Sequence, residues 1–269
     1  MKRYVPVLTI AGSDCSGGAG IQADIKTMSA LGCYAMSVIT ALTAQNTTGV
    51  TAIEGVSPYM VGTQIDAVFA DIPPFAVKTG MLYDCDTVVA VSDKMRQYGV
   101  KELIVDPVMM STSGSKLIAD KAIEAMRELL FPQALMITPN KEEARFLSGS
   151  DDVNCQIDRL SSIGVRYLLL KGGDDNRTDK KVDCLVDYTS GSVMPIVGEA
   201  IATRNTHGTG CTLSSAIASF IAMGVGVVQA VYEAKSYIIQ ALKAGAVVEV
   251  GAGHGPVNHF FDPKSLIVK

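Results

Sequence analysis

Residues Val5 to Leu31 read VPVLTIAGSDCSGGAGIQADIKTMSAL, and this stretch decides the fold. Its opening part, Val5–Gly12, is an apolar run typical of a buried strand. The glycines of SGGAG follow, and apolar side chains then recur at helical spacing from Ile21 to Leu31. A strand, a glycine-rich turn and a helix in this order are the repeating unit of an α/β protein.

The same alternation continues along the chain. Strands are predicted at residues 34–40, 50–57, 75–80, 102–109, 134–140 and 165–173, with a hairpin at 181–188 and 192–197. One helix is predicted to begin at Ser57-Pro58, and another to follow the strand at 75–80 and end near Tyr98. Further helices are predicted over 118–130, 141–147, 153–163, 211–223 and 227–246. This alternation predicts an α/β fold with a mostly parallel sheet and helices on both faces. No linker or repeat interrupts it, so we expect one domain over residues 1–269.

The composition excludes several classes of protein. The chain has 269 residues, 48% of them hydrophobic and 19% charged, which predicts a sizeable core. The net charge is −4 and no basic stripe stands out, so nucleic acid is not an expected partner. The six cysteines are scattered without a C-x-x-C pair, which argues against a zinc site and a disulfide framework. A reducing, cytoplasmic location fits best.

Two segments resemble a signal peptide and a membrane-spanning helix, but neither has all the features of one. The basic start and apolar run of Met1–Gly12 lead into SDCSGGAG, which is not a small-residue cleavage site. The stretch Asn205–Tyr232 has no charged side chain, but glycines interrupt it. Its apolar piece is shorter than the roughly 20 residues that span a bilayer. We therefore expect no membrane partner and a buried helix instead.

Polar motifs stand where the predicted strands end: AGSDCSGGAG, KTGM, DPVM, TPNKEE and KGG. Ligands of open α/β sheets bind outside the carboxyl ends of the strands. The coincidence predicts an active site at that edge of the sheet.

The glycine motif GAGIQA, residues 18–23, matches the dinucleotide pattern G-x-G-x-x-A. That pattern requires an acid near the end of the second strand, and YAMSVITALTAQNTTG contains none. A dinucleotide oxidoreductase is therefore disfavoured. A structural glycine turn and a loop that lets backbone approach a small substrate both stay open. No Walker P-loop is present.

Several polar residues have two readings each from the sequence alone. Asp106 suits either an ordinary turn or a Mg²⁺ site completed by phosphates. Asn140 and the acids after it suit a helix start. Lys171 suits a solvated surface charge as well as a site residue, and His207 suits a structural role as well as a role in the glycine turn. Cys211 follows a Gly-Thr-Gly turn that opens a helix. It is either a packed thiol or a reactive one, because a helix N-terminus holds phosphate and lowers a thiol pKa.

As a set, these segments carry a resemblance. LTIAGSDCSGGAGIQADIKT, TALTAQNTTGV, KTGML, DPVM, TPNKEEA, KGG, NTHGTGCTLSSAIA and GPVNHFF occur in this order across nearly the whole chain. The sequence closely resembles the hydroxymethylpyrimidine/phosphomethylpyrimidine kinases of thiamine biosynthesis, in the ribokinase-like superfamily. The resemblance implies a three-layer α/β/α fold with a small edge flap, commonly a homodimer. It also implies phosphorylation of hydroxymethylpyrimidine, and then of its monophosphate, by ATP with Mg²⁺.

The resemblance also implies site residues, motif by motif. The pyrimidine pocket would be lined by Gly12, Asp24, Gln45, Met81 and Val108. Mg²⁺ would be held by Asp106 and Glu143, and the nucleotide by Asn140, Lys171, Thr206 and Lys235. The turn Gly208, Thr209, Gly210 and Cys211 would form an anion hole for the transferring phosphoryl group. Cys211 would be the catalytic base, standing where many sugar kinases of the superfamily carry Asp.

Two rival functions remain open. The first is a pyridoxal kinase on the same scaffold. Gln45 favours a pyrimidine, because its amide can both donate to and accept from an aminopyrimidine. One residue does not exclude dual use. The second is a non-catalytic binding protein for thiamine precursors. Such a protein would need no phosphoryl-transfer set, and this chain keeps Asp106, Glu143, Lys171 and Cys211. No role is assigned to Cys15.

Overall fold

The computed structural model describes residues 2–110, 118–172 and 180–269, and its strands form one nine-stranded sheet. The strands are β1 (Pro6–Asp14), β2 (Tyr34–Asn46), β3 (Gly49–Gly55), β4 (Ala76–Thr79), β5 (Leu103–Val105), β6 (Met136–Ile137), β7 (Tyr167–Leu170), β8 (Lys180–Asp187) and β9 (Ser192–Glu199). Their order is β3-β2-β1-β4-β5-β6-β7-β8-β9. The six strands from β2 to β7 in this order are parallel, and antiparallel strands flank them at both edges.

Helices cover both faces of this sheet. They are α1 (Gly20–Ala30), α2 (Pro58–Asp71), α3 (Cys85–Gln97), α4 (Asp120–Ala125), α5 (Lys141–Ser148), α6 (Val153–Ser161), α7 (Thr209–Ala222) and α8 (Val227–Gly245). One core contains Ile65 of α2 and Val91 of α3. The other contains Met28 of α1, Ile217 of α7 and Ala234 of α8. Two cores on opposite faces make three layers, so the predicted α/β/α fold is confirmed.

The local signals of the sequence hold at several helix and strand ends. Ser57 accepts a hydrogen bond from the Met60 N–H at 3.3 Å, and Pro58 takes the first helical position of α2. The hairpin predicted at 181–188 and 192–197 is the antiparallel pair β8–β9. Pro195 lies in β9, which is an edge strand, where a residue without an N–H is tolerated.

Four elements differ clearly from the predictions, and two of them, the strands predicted at 102–109 and 134–140, are shortened to Leu103–Val105 and Met136–Ile137. The strand predicted at 34–40 continues to Asn46, because its second half, residues 41–46, pairs antiparallel with β3 as a flap, while Leu42 and Thr43 also stay paired with β1. The helix predicted over 118–130 is α-helical only at Asp120–Ala125. It continues as a π-turn, Met126–Leu130, and a short 3₁₀ turn, Phe131–Gln133, where Pro132 cannot donate a helical hydrogen bond.

Two predictions concern the extent of the chain. Gly173, the last residue of the strand predicted at 165–173, lies outside the described residues. A single sheet collects strands from Pro6 to Glu199, and helices α7 and α8 pack on it. One domain over residues 1–269 stays a prediction. In the described part of the chain, no helix is long and apolar enough to span a membrane.

Candidate active site

A cleft of about 960 Å³ opens at the carboxyl ends of the parallel strands. Its lining includes residues just beyond β4, β5, β6 and β7, the edge at which the sequence motifs predicted a site. Every predicted site residue except Asp24 lines it: Gly12, Gln45, Met81, Val108, Asp106, Asn140, Glu143, Lys171, Thr206, Gly208, Thr209, Gly210, Cys211 and Lys235.

The glycine turn before α7 forms one wall of the cleft. Gly208 has a φ of 81°, and a Cβ there would lie 1.9 Å from the Gly18 carbonyl oxygen, so only glycine fits. The Thr209 N–H donates to the Thr206 carbonyl at 3.2 Å. The amides of Gly210 and Cys211 come next, in the first helical turn, where no i−4 carbonyl is available. The turn therefore offers fewer amides to an anion than the four expected, because Thr209 is engaged.

A buried ion pair faces this turn. Lys171 Nζ lies 2.8 Å from Asp106 Oδ1, and Thr138 and Ser214 donate to the same carboxylate at 3.1 and 3.3 Å. Burial alone would raise the pKa of Asp106, but the nearby Lys171 and Lys78 ammonium groups outweigh it and lower that pKa. Asp106 is therefore an anion at neutral pH.

Gly210 leaves open space beside that pair. A Cβ on Gly210 would stand 3.4 Å from Lys171 Nζ and 3.5 Å from Asp106 Oδ2. The missing side chain lets a ligand approach a cation, a carboxylate and two helix amides together. Such a place suits a phosphoryl group with a divalent cation.

A second carboxylate stands at the start of α5. The Asn140 N–H donates to Glu143 Oε2 at 2.8 Å, and the Glu143 N–H donates to Asn140 Oδ1 at 2.9 Å, which is a capping box. Glu143 Oε1 also accepts from the Met109 N–H at 3.4 Å. Burial raises the pKa of Glu143 to about 7, with Lys171 opposing and Asp106 reinforcing the rise.

These carboxylates fit Mg²⁺ and do not fit a fully protein-bound metal. Among the described residues, no group of three or more His, Cys, Asp or Glu side chains could hold a metal ion. Mg²⁺ usually takes one or two carboxylates and completes its shell with water and substrate phosphates. Asp106 and Glu143 match that donor set, beside the open space at Gly210.

The pKa of the Cys211 thiol differs from what the sequence predicted. The helix start was expected to lower the pKa of this thiol, but burial raises it to about 11. The Lys78 ammonium opposes the rise, and the carboxylates of Asp24 and Asp106 reinforce it. In the cleft as it stands the thiol is neutral at pH 7.

Lys235 is held by another acid. Its Nζ lies 2.5 Å from Asp183 Oδ2, and Asp183 Oδ1 accepts from the Gly172 N–H at 3.0 Å. The pair links α8 to the strand end that carries Lys171. Lys235 thus lines the cleft while already bound to a carboxylate that the sequence patterns did not identify.

The pocket end predicted for the pyrimidine lies around Gln45. A Cβ on Gly12 would stand 3.0 Å from Met81 Cε, so glycine gives this methionine its place. The Gln45 amide lies 3.2 Å from Thr43 Oγ1 and 3.2 Å from His207 Nε2. Cys15 is exposed, and its thiol lies within hydrogen-bonding distance of the Gln45 backbone.

Asp24 does not lie where the resemblance implies. It is completely buried below the cleft, where its carboxylate binds Lys78 Nζ at 2.8 Å. Thr9 and Ser215 donate to it at 2.6 Å each. Its oxygens are therefore occupied within the protein. Lys78, which the KTGM motif contains, is also completely buried but borders the floor of the cleft.

The sequence patterns also missed a pair that joins the two glycine loops. His207 Nε2 lies 2.8 Å from Asp14 Oδ2, and the same carboxylate accepts hydrogen bonds from the backbone of Ser16, Gly18 and Ala19. Burial alone would raise the pKa of Asp14, but these hydrogen bonds, that of His207 foremost, lower it to about 2. The only signal in the sequence is the position of His207 directly before the Gly-Thr-Gly turn.

Comparison with models of known protein families identifies the family of this chain. The family model described as Phosphomethylpyrimidine kinase matches residues 14–258. The chain belongs to the phosphomethylpyrimidine kinase family. This confirms the resemblance and makes the chain a member of a kinase family.

Curated relatives of this family carry the same name. A hydroxymethylpyrimidine/phosphomethylpyrimidine kinase of Rhizobium meliloti is 46% identical over 259 residues, covering 94% of this chain and 96% of its own. A bifunctional thiamine biosynthesis protein of Geobacter sulfurreducens is 48% identical over 258 residues, covering 94% of this chain. The chain spans 52% of that longer protein.

Solved structures similar to this chain include phosphomethylpyrimidine kinases and pyridoxal kinases. The phosphomethylpyrimidine kinase of Clostridium difficile is 43% identical with a TM-score of 0.77, covering 88% of this chain and 99% of its own. A Bacillus subtilis pyridoxal kinase in an ADP complex is 33% identical with a TM-score of 0.85, covering 96% of this chain and 98% of its own.

Proposed function

We propose that this kinase transfers a phosphoryl group from ATP to 4-amino-5-hydroxymethyl-2-methylpyrimidine, and then a second one to the monophosphate, in thiamine biosynthesis. The observation that carries the proposal is one cleft with two chemically different ends. Gln45 at one end suits an aminopyrimidine, and the turn with Gly210 at the other suits a phosphoryl group.

The transfer consists mainly of positioning and charge stabilisation. The hydroxymethyl oxygen attacks the γ-phosphorus, and the bond from that phosphorus to the ADP oxygen breaks. The amides of Gly210 and Cys211 donate to oxygens of the transferring group, and Lys171 neutralises part of their charge. The hydroxyl proton passes to the sulfur of the Cys211 thiolate, the minor form of this group, which arises when the thiol releases its own proton to solvent.

Asp106 and Glu143 would hold Mg²⁺, which supplies charge neutralisation between the phosphates when bound. The capping box keeps the Glu143 carboxylate next to Met109 and the cleft. Asn140 and Lys171 would contact the nucleotide phosphates from neighbouring strand ends. Lys235 would act through Asp183, its partner at 2.5 Å, and so orient the Gly172 backbone near the nucleotide.

The second candidate function is that of a pyridoxal kinase. It is supported by the structural similarity of this chain to a pyridoxal kinase of known structure. Pyridoxal lacks the exocyclic amine next to a ring nitrogen that an amide pairs with. The half-buried Gln45 amide would be poorly matched with pyridoxal, which favours the pyrimidine.

We also propose that the enzyme is a cytoplasmic homodimer. All six cysteines are free thiols, which suits a reducing compartment. The flap strand β3 is an edge strand, with one side open to a partner. Sedimentation velocity at micromolar concentration measures the assembly state, and a single species of 28.4 kDa would contradict the dimer.

The deciding experiment measures ADP release with three acceptors and Mg²⁺: hydroxymethylpyrimidine, its monophosphate and pyridoxal. Turnover of both pyrimidines, with the diphosphate as end product, is expected. Turnover of pyridoxal alone would overturn the substrate assignment while leaving the phosphoryl-transfer site intact. Lack of turnover with every acceptor would overturn the proposed function.

A further inference from the structure

The Gln45 amide stands between two neighbours that restrict its orientation. The structure places Gln45 Oε1 3.2 Å from Thr43 Oγ1 and Gln45 Nε2 3.2 Å from His207 Nε2. A 180° turn of the amide exchanges its oxygen and nitrogen without changing its shape. The hydrogen bonds of the neighbours therefore decide which end carries the oxygen.

The His207 side fixes one end. Its Nε2 lies 2.8 Å from Asp14 Oδ2, and an ionised carboxylate only accepts hydrogen bonds. Nε2 must therefore carry a proton, and a protonated ring nitrogen cannot accept from an amide N–H. We therefore assign the oxygen of Gln45 to the end that faces His207, which turns the amide by 180° from the orientation given above.

The Thr43 side agrees. Its hydroxyl lies 3.0 Å from the Ser13 carbonyl oxygen, which can only accept, so the hydroxyl proton points there. The lone pairs of Thr43 Oγ1 then remain for a donor, which is the amide nitrogen of Gln45. In this arrangement every donor faces an acceptor: the one proton on His207 Nε2 is shared between Asp14 at 2.8 Å and the Gln45 oxygen at 3.2 Å, and the Gln45 nitrogen donates to Thr43.

We propose that Asp14, His207 and Thr43 are positioning residues that hold the Gln45 oxygen toward His207 and its nitrogen toward Thr43. They thereby fix the sense in which an aminopyrimidine binds. This rests on the proposed function. The fixed amide leaves one N–H for a ring nitrogen and one lone pair for the exocyclic amine. An amide free to turn would pair equally with a reversed ring, whose hydroxymethyl group points away from Gly210.

The first test is a cycle of variants and ligands, measured by calorimetric titration without ATP. The ligands are hydroxymethylpyrimidine and its analogue without the 4-amino group. The wild-type protein is expected to prefer the amine by at least about tenfold, and Thr43→Val is expected to lose about tenfold of its preference. Any general loosening of the pocket affects both ligands and cancels in the ratio.

Thr43→Ser keeps the hydroxyl and is expected to keep the preference. Thr51→Val is the matched control, because Thr51 lies on the same flap but donates to the Ala44 carbonyl at 2.9 Å instead. It is expected to retain the wild-type ratio. A Thr43→Val protein that keeps the full preference for the amine would overturn the inference.

A second readout is independent of any substrate. Long-range ¹⁵N–¹H NMR spectra of the free protein report which ring nitrogens carry protons, with the His207 signals identified by their loss in His207→Gln. Nε2 of His207 is expected to be protonated, and an unprotonated Nε2 would overturn the inference. Failure of the wild-type protein to bind hydroxymethylpyrimidine would instead refute the proposed function, with this NMR result unaffected.

Discussion

Lys78 Nζ lies 2.8 Å from Asp24 Oδ2, and both side chains are 0% exposed beneath the cleft. Burial by itself would lower the pKa of Lys78, but the Asp24 carboxylate outweighs it and raises that pKa above the usual value. The ammonium stays charged in the interior beside Gly80, whose missing side chain gives it room. The central strand β4 and helix α1 are thus joined by a charge pair.

Replacing Lys78 by Met is expected to lower the free energy of unfolding by about 3–5 kcal/mol, because it leaves a buried carboxylate without its counter-charge. Urea unfolding followed by circular dichroism measures the loss. The control is Lys243→Met, which breaks the exposed Lys243–Glu199 pair and is expected to cost less than about 1 kcal/mol. Equal losses in the two variants would contradict the structural importance of the buried pair.

His259 makes the stability of the fold dependent on pH. Burial, reinforced by the Lys26 charge, lowers the pKa of His259 to about 4, against about 6.5 in an unfolded chain. Between pH 6.5 and 4 the unfolded chain binds a proton that the folded one refuses, so stability falls as the pH falls. The total loss is about 3 kcal/mol and stays constant below pH 4.

Urea unfolding at pH 7, 6, 5 and 4 measures this loss. In His259→Gln the amide can still donate to the Gly18 carbonyl, the partner of His259 Nε2 at 3.1 Å. This variant is expected to lose less stability over the same range. Parallel curves for the two proteins would exclude His259 as the source.

Gly210 and Gly208 are expected to respond differently to alanine. At Gly210 the added Cβ meets only ordinary contacts of 3.4 and 3.5 Å, so the fold is expected to survive. The methyl group fills the place proposed for the phosphoryl group, and kcat is expected to fall about 100-fold. At Gly208 the Cβ would collide with the Gly18 carbonyl, so poor folding is expected. Steady-state kinetics and thermal unfolding separate the two effects, and a fully active Gly210→Ala enzyme would contradict the assignment.

The sequence predicted those parts of the fold that depend on neighbouring residues. Strand–helix alternation, the Ser57-Pro58 helix start and the β8–β9 hairpin all arise from local spacing and turn chemistry. The flap half of β2 was missed, because its length depends on pairing with β3 and not on its own residues.

The candidate site divides in the same way. Most of its residues follow directly after strands, so their common edge was predictable. Asp24 carried a usable signal: it lies three residues after Ile21 and four before Met28, on the buried face of α1, where an acid needs a buried cation. The pairing of His207 with Asp14 joins residues 193 apart in sequence and depends on the tertiary fold alone.

Cys211 is expected to be needed for the rate but not for binding. In Cys211→Ala the backbone amide remains, so the Kd of hydroxymethylpyrimidine and the KM of ATP are expected to stay close to wild type. The loss of the proton acceptor is expected to lower kcat about 10²–10⁴-fold. Isothermal titration and steady-state kinetics measure the two quantities on the same preparation.

The pH profile distinguishes a base from a packing residue at this position. Because burial raises the pKa of Cys211 to about 11, the thiolate fraction grows with pH throughout the neutral range. The wild-type kcat is therefore expected to rise by up to about tenfold per pH unit between pH 7 and 9. Cys211→Ser, whose hydroxyl stays protonated, is expected to lack this rise. If the serine enzyme shows the wild-type slope, or the alanine enzyme keeps nearly full activity, the hydroxyl proton leaves by another route and Cys211 contributes only its backbone amide.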